Sequence, residues 1–216
     1  MRNFDDVAES WDLDPKKIER ANAIARAIQH AIPLSKNMSA LEYGCGTGLL
    51  SFALRPHVGD ITLADSSGGM LTVLKRKIEE NEFENLSVVQ IDLTNDQVPS
   101  QRYDLLYTLM VLHHIPDTAH ILSRFHTLLN EGGYLCIADL DEEGGLFHGA
   151  GFDGHNGFER ADLKRKLLDT GFMNVRFTTG YIMDKKINGD TKSFSIFLMT
   201  ALKQSNDRGI IEEDNG

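Results

Sequence analysis

Three glycines at alternate positions, Gly44, Gly46 and Gly48, punctuate residues 41–48, which read LEYGCGTG. Glycine is needed where the backbone takes a positive φ, or where a ligand must approach the main chain with no Cβ in the way. A short apolar run, 38–41, precedes the glycines and an amphipathic one, 49–54, follows them. That is the layout of a strand, a tight turn and a helix start. Exposed amide groups at such a turn suit a polar or anionic ligand. The loop reads as a holder for a nucleotide-like molecule.

The spacing separates two kinds of nucleotide site. A dinucleotide fingerprint reads G-x-G-x-x-G. Here the third glycine falls one residue early, at Gly48, and the pattern is E-x-G-x-G-x-G, opening on Glu42. A nicotinamide-dependent oxidoreductase would need a pyrophosphate site, and the misplaced glycine speaks against one. Roughly 20 residues after Gly44, the offset at which an acid can hold ribose hydroxyls, Asp65 ends a second apolar run. A third run, 86–91, ends in Asp92-Leu93, where a carboxylate could accept from an exocyclic amine.

Histidines form the other reactive group. His113 and His114 follow a fourth apolar run, and His148 and His155 lie in a glycine-rich stretch with Asp153, downstream of Asp139 and Asp141. A metal set of His148, Asp153 and His155 matches no zinc spacing, so no metal is expected. The two cysteines, Cys45 and Cys136, lack C-x-x-C spacing and read as small buried residues.

These residues need a frame. Apolar runs predict strands near 39–43, 61–64, 86–91, 103–108 and 134–139. Helical spacing predicts helices from Pro15 to before Pro33, with Asp14 as cap, and near 47–55, 67–81, 117–130 and 159–170. Such alternation implies a parallel sheet with helices on both faces. Two further strands, 173–179 and 193–201, are joined through 185–190, where Asn188-Gly189 signals a turn. In such sheets ligands bind beyond the strands' carboxyl ends, and Gly44, Asp65, Asp92, Thr108 and Asp139 all fall there. One domain, 1–202, is expected: an N-terminal helical lid over 1–37, a ligand-binding core over 38–140, and a loop with the last strands over 141–202. Residues 203–216 are polar and acidic and are expected to be disordered.

Length and composition agree. The chain has 216 residues, is 41% hydrophobic and 25% charged, and carries a formal net charge of -10. That charge disfavours binding to phosphate backbones. The basic clusters Lys16-Lys17, Lys75-Arg76-Lys77 and Lys164-Arg165-Lys166 read as solvated helix faces. No run is long enough to span a bilayer, and the N-terminus lacks the apolar stretch of a signal peptide. A cytoplasmic location is expected.

Taken together, LEYGCGTG, Asp65, Ile91-Asp92-Leu93, residues 103–108 with Leu112-His113-His114-Ile115, and residues 128–135 with Gly132-Gly133 resemble the class I S-adenosylmethionine-dependent methyltransferases. The resemblance implies a Rossmann-like doubly wound sheet of about seven strands, mostly parallel, with an antiparallel C-terminal strand. It implies S-adenosylmethionine as cofactor, with S-adenosylhomocysteine as product. Gly44, Gly46 and Gly48 would form its loop, Asp65 would accept from the ribose, and Ser66 and Met70 would also contact the cofactor. Asp92 and Leu93 would face the adenine, and Thr108 the methionine moiety. Glu42 would reach a loop N–H or the methionine amino group. Trp11 would close over the sulfonium, where a face-on contact adds cation–π attraction. The fourth strand ends in Thr108-Leu109-Met110-Val111, not in the (Asn/Asp)-Pro-Pro-aromatic motif of enzymes that methylate nucleic-acid amines. With the acidic charge, this implies a small-molecule acceptor and a monomer or homodimer. Acceptors sit past the fourth strand in this fold, so His114 or His155 is expected as the acceptor-side base, since imidazole titrates near neutrality. His113 reads instead as a cap on the fourth strand's loop. A non-catalytic sensor or accessory subunit binding the same cofactor is the alternative.

Overall fold

Asp14 and Pro15 start the first long helix: the Asp14 side chain accepts from the Lys16 amide at 3.0 Å, and proline takes the first helical position. This helix, α2 (Pro15–Ala31), buries Ala21, Ile24, Ala25 and Ile28 and ends before Pro33. Ahead of it lie a one-turn helix, α1 (Phe4–Val7), and a 3-10 segment, Ala8–Leu13. The computed structural model describes residues 4–149 and 151–204.

The expected alternation follows: β1 (Ala40–Tyr43), α3 (Leu49–Leu54), β2 (Ile61–Asp65), α4 (Gly68–Glu80), β3 (Leu86–Gln90), β4 (Tyr103–Leu109), α5 (Thr118–Leu128) and β5 (Leu129–Leu140). Then come α6 (Arg160–Asp169), β6 (Phe172–Ile187) and β7 (Asp190–Lys203). One seven-stranded sheet has the order β3-β2-β1-β4-β5-β7-β6. β1 to β5 pair in parallel, and β7 runs antiparallel between β5 and β6. The chain starts at the middle of the sheet, winds outward to β3, then returns to β4. The β1–β4 boundary is therefore the topological switch point, where open sheets of this kind bind ligands.

Strand alternation splits the core. In β1, Leu41 and Tyr43 join the cluster with Phe125, Leu163 and Phe197, while Ala40 joins the opposite one with Ile24, Leu50 and Leu74. Both sheet faces are thus covered by helices, as parallel strands require.

The last two strands are longer than their apolar runs. The segment 185–190 is not a connector: Lys185 pairs with Lys192 and Ile187 with Asp190. The turn is Asn188-Gly189 alone, with φ values of 52° and 92°, the two positive dihedrals that match the twist of a two-residue hairpin. β5 likewise starts early, because Leu129 pairs with Tyr103 and shortens the preceding helix. Lys203, expected in a disordered tail, ends β7 and donates to the His126 and Leu129 carbonyls at 2.9 and 2.8 Å. The rest of that expectation, from 205 onward, lies outside the described residues.

Candidate active site

The glycine loop sits at the carboxyl end of β1. Gly44, Gly46 and Gly48 have φ of 71°, 52° and 84°, a region costly for residues with a Cβ. Two of the three are also packed tightly. A Cβ on Gly44 would lie 2.3 Å from Val111 Cγ2, and one on Gly48 would lie 2.6 Å from Leu74 Cδ1. Gly46 differs: its nearest neighbour would be Met70 Sδ at 4.0 Å. The loop is pinned at both ends and open at its middle.

Asp65 holds that middle. Its carboxylate accepts from the Gly46 amide at 2.7 Å and from the Ser67 amide at 2.9 Å. Burial raises its carboxyl above the ordinary range, although these amides pull the other way. Ser66 is exposed next to it, with its carbonyl accepting from Gln90 Nε2 at 3.1 Å. Glu42 does not reach the glycine loop. Its side chain accepts from the Ser51 amide at 3.2 Å and from the Ser51 hydroxyl, which lies 2.6 Å from Tyr107 Oη. Burial pushes the Glu42 carboxyl up to about 8, because a charge there would be desolvated.

Asp92 organises the next loop. It accepts from the Thr94 amide and hydroxyl at 2.9 and 2.6 Å and from Asn95 Nδ2 at 2.8 Å. Burial alone would raise its carboxyl, but these bonds outweigh it and hold the group below its usual range. Leu93 is a core residue: its side chain is buried beside Tyr43 and Phe125, and its amide donates to Tyr43 Oη at 3.2 Å. A shallow cavity of about 430 Å³ lies beside this loop, lined by Thr94, Ile115, Pro116, Asp117 and His120. Another, of about 360 Å³, is lined by Lys36, Arg55, Asp60 and Asn85 at the opposite end of the strands, and shares no residue with the glycine loop or the histidines.

The N-terminal segment lies over the glycine loop and is fastened by a row of acids. Asp5 accepts from Ser67 Oγ at 2.5 Å and the Gly69 amide at 2.8 Å. Glu9 pairs with Arg76 at 2.8 Å. Asp12 accepts from Thr47 Oγ1 at 2.5 Å and Lys77 Nζ at 2.6 Å, and Lys77 also donates to the Thr47 carbonyl at 2.7 Å. Arg76 and Lys77 are therefore anchors of this strap, not a merely solvated face. Beneath it, Met70 is buried with Ala8 and Val73 against Phe4, Val7 and Trp11. Lys17 Nζ covers one face of the Trp11 ring, 3.5 Å from its centroid. Phe4 is the strap residue that reaches the fourth strand's end, meeting His114 edge-on at 5.5 Å.

At that end, Thr108 is 2% exposed and its hydroxyl has no hydrogen-bond partner. Buried hydroxyls are rarely left so. Met110 follows with φ 59°, and a 3-10 turn, Leu112–His114, carries two histidines. His113 is buried, and its Nδ1 lies 2.6 Å from Asp139 Oδ1. The opposite oxygen of Asp139 accepts from the His113 amide at 3.3 Å. The capping expectation for His113 understates this: it is locked to a carboxylate on the neighbouring strand. His114 and His148 pack against it, with ring centroids 4.1 and 5.0 Å away. Burial first, then His113 nearby, lowers both His114 and His148 to about 4, so both are neutral at pH 7. His155 stands apart. Its Nε2 lies 3.0 and 3.2 Å from the Ile115 and Pro116 carbonyls and its amide donates to the His113 carbonyl at 2.8 Å, so it fastens the loop. His148, Asp153 and His155 are not gathered as a ligand set among the described residues.

The open face at Gly46 and the orphaned Thr108 hydroxyl fit a ligand laid from the glycine loop toward β4. The chain matches the family described as a methyltransferase domain over residues 17–178. It belongs to that family, the class I S-adenosylmethionine-dependent methyltransferases. It is 33% identical over 119 residues to an uncharacterized methyltransferase of Schizosaccharomyces pombe, covering 52% of this chain and 42% of that protein. It is 29% identical over 147 residues to a ubiquinone biosynthesis O-methyltransferase of Coxiella burnetii, covering 65% of this chain and 61% of that one. The matches thus span less than two thirds of these relatives' lengths. Among solved structures, phosphoethanolamine N-methyltransferase 2 of Haemonchus contortus, in complex with S-adenosyl-L-methionine, aligns with a TM-score of 0.70 at 14% identity, over 95% of this chain and 61% of that one. At that identity the likeness is one of fold.

Proposed function

We propose that this chain transfers the methyl group of S-adenosylmethionine to a small organic acceptor. The observation that carries the reading is Gly46. It is held in the left-handed region by the Asp65 carboxylate, and the nearest atom to the face where its side chain would be is Met70 Sδ, at 4.0 Å. When bound, the cofactor supplies an electrophilic methyl on a sulfonium. The chain then has three tasks: to hold the ligand, exclude water and orient the acceptor.

Gly44, Gly46 and Gly48 would bring main-chain amides to the ligand, and Asp65, whose oxygens retain accepting capacity, would take ribose hydroxyls. Asp92 would accept from adenine, and Thr108 would gain the partner it lacks. Met70 and the strap from Phe4 to Leu13 would shield the methionine end. Glu42 would act through Ser51 on the seating of α3 instead of touching the ligand.

The acceptor would enter between Phe4 and the histidines. His114, neutral at pH 7, would accept a hydrogen bond or proton from its hydroxyl or amine. His155, tied to two carbonyls, would only shape the loop. Partners are accordingly small molecules. Among the described residues no helix is long and apolar enough to cross a membrane, and the expected setting is the cytoplasm.

Incubation with methyl-labelled S-adenosylmethionine and fractionated metabolites tests this reading. Label appearing in a small molecule is expected. Tight cofactor binding with no acceptor labelled would favour the sensor instead.

A further inference from the structure

His113, His114 and His148 meet at the ends of β4 and β5, and one ring nitrogen from each lies within 4.8 Å of the others. We propose that these three imidazoles form a binding site for a divalent transition-metal ion of the zinc class. The two elements that carry them are set by the sheet. His113 and His114 ride the 3-10 turn after β4, and His148 comes from the loop after β5, whose parallel pairing with β4 runs to Leu109 and Ala138.

His113 is the best prepared of the three. Its Nδ1 is taken by Asp139, which is itself fixed by the Leu140 amide at 2.7 Å. Its Nε2 is buried and has no hydrogen-bond partner. A carboxylate on one ring nitrogen sets the tautomer and turns the other nitrogen's lone pair outward, the arrangement found behind metal-bound histidines. His114 and His148 make no ring hydrogen bond among the described residues, so their nitrogens are uncommitted as well. His148 is oriented by stacking, with no ring hydrogen bond to fix it among the described residues: Phe152 lies 3.8 Å from its ring, and the neighbouring Phe147 is anchored through its amide to Glu143 at 2.6 Å and through its carbonyl to Lys185.

The donor set selects the ion. Three imidazoles suit zinc, cobalt, nickel or copper, and without a carboxylate cage they do not suit magnesium or calcium. Metal–nitrogen bonds of about 2.0 Å in a tetrahedron place nitrogens roughly 3.3 Å apart, so the rings must draw together slightly. His148, on a loop, can move to do so. Three protein ligands leave a fourth position for water or an acceptor oxygen. A ligated His114 cannot also serve as a base. In the loaded protein, the ion would supply Lewis acidity that lowers the pKa of a bound acceptor hydroxyl, whose proton would pass to water.

The test is cobalt titration of the full chain after chelator treatment, read by visible absorption, with no activity measurement needed. One cobalt per chain is expected, with the strong bands of a four-coordinate ion. His148→Ala is expected to weaken binding at least tenfold while keeping the circular dichroism of the parent. His57→Ala, at an exposed histidine outside the cluster, is expected to bind as the parent does. No cobalt uptake, or uptake unchanged in His148→Ala, overturns the proposal. Methyl transfer can fail without affecting this result.

Discussion

His113 Nδ1 and Asp139 Oδ1 lie 2.6 Å apart across the β4–β5 boundary, with the two side chains 1% and 0% exposed. Asp139 also accepts from the His113 and Leu140 amides. Asp139→Asn keeps the shape but replaces one accepting oxygen by a donor. At least one buried amide or ring nitrogen then loses its acceptor. The expected cost is about 1–3 kcal/mol, measured by urea unfolding. A change below about 0.5 kcal/mol, the size of an ordinary surface substitution, would mean the pair is not structural.

Thr108 offers a test in which stability and binding move in opposite directions. Thr108→Val removes an unsatisfied buried hydroxyl while conserving size. The free protein is expected to be as stable or about 1 kcal/mol more stable, and cofactor affinity is expected to fall severalfold. Unaltered affinity would remove Thr108 from the binding site.

Glu42 predicts a pH dependence. Its folded carboxyl titrates at about 8 against an ordinary 4.5. Below 4.5 both folded and unfolded chains hold the proton, and the group costs nothing. As pH rises toward 8 the unfolded chain releases its proton first, so stability falls by up to about 1.4 kcal/mol per unit. Glu42→Gln abolishes that slope, and its stability advantage over the parent grows between pH 5 and 8. Parallel stability curves over that window would contradict the assignment.

The strap can be loosened without touching the core. Asp12→Ala removes the partner of Lys77 and Thr47. At this partly exposed position the expected stability loss is about 1 kcal/mol, reduced by salt. Cofactor release is expected to quicken, as read by stopped-flow fluorescence of Trp11. Release at the parent rate would leave the strap without a role in retention.

What the sequence carried locally, it showed clearly. Asp14-Pro15, Asn188-Gly189 and the three alternating glycines each dictate their own backbone. The pairing of His113 with Asp139 was invisible, because 26 residues separate them and only the β4–β5 register joins them. Asp5, Glu9 and Asp12 share the spacing of one helical face, but the segment is too short for periodicity to speak, and Arg76 and Lys77 gave no sign of their partners. The resemblance points to Trp11 as the closing aromatic, while Phe4 makes the contact with His114. Side-chain direction on a short lid depends on tertiary packing, which composition does not encode.

In the proposed function, the face left open at Gly46 seats an adenosyl ligand. Calorimetric titration of the full chain with S-adenosylhomocysteine tests it directly, alongside Gly46→Ala. That substitution meets no close atom and should cost the fold only about 1–2 kcal/mol. One ligand per parent chain is expected, with at least tenfold weaker binding to the folded variant. Equal affinity in the two proteins, or no heat from the parent, would contradict it.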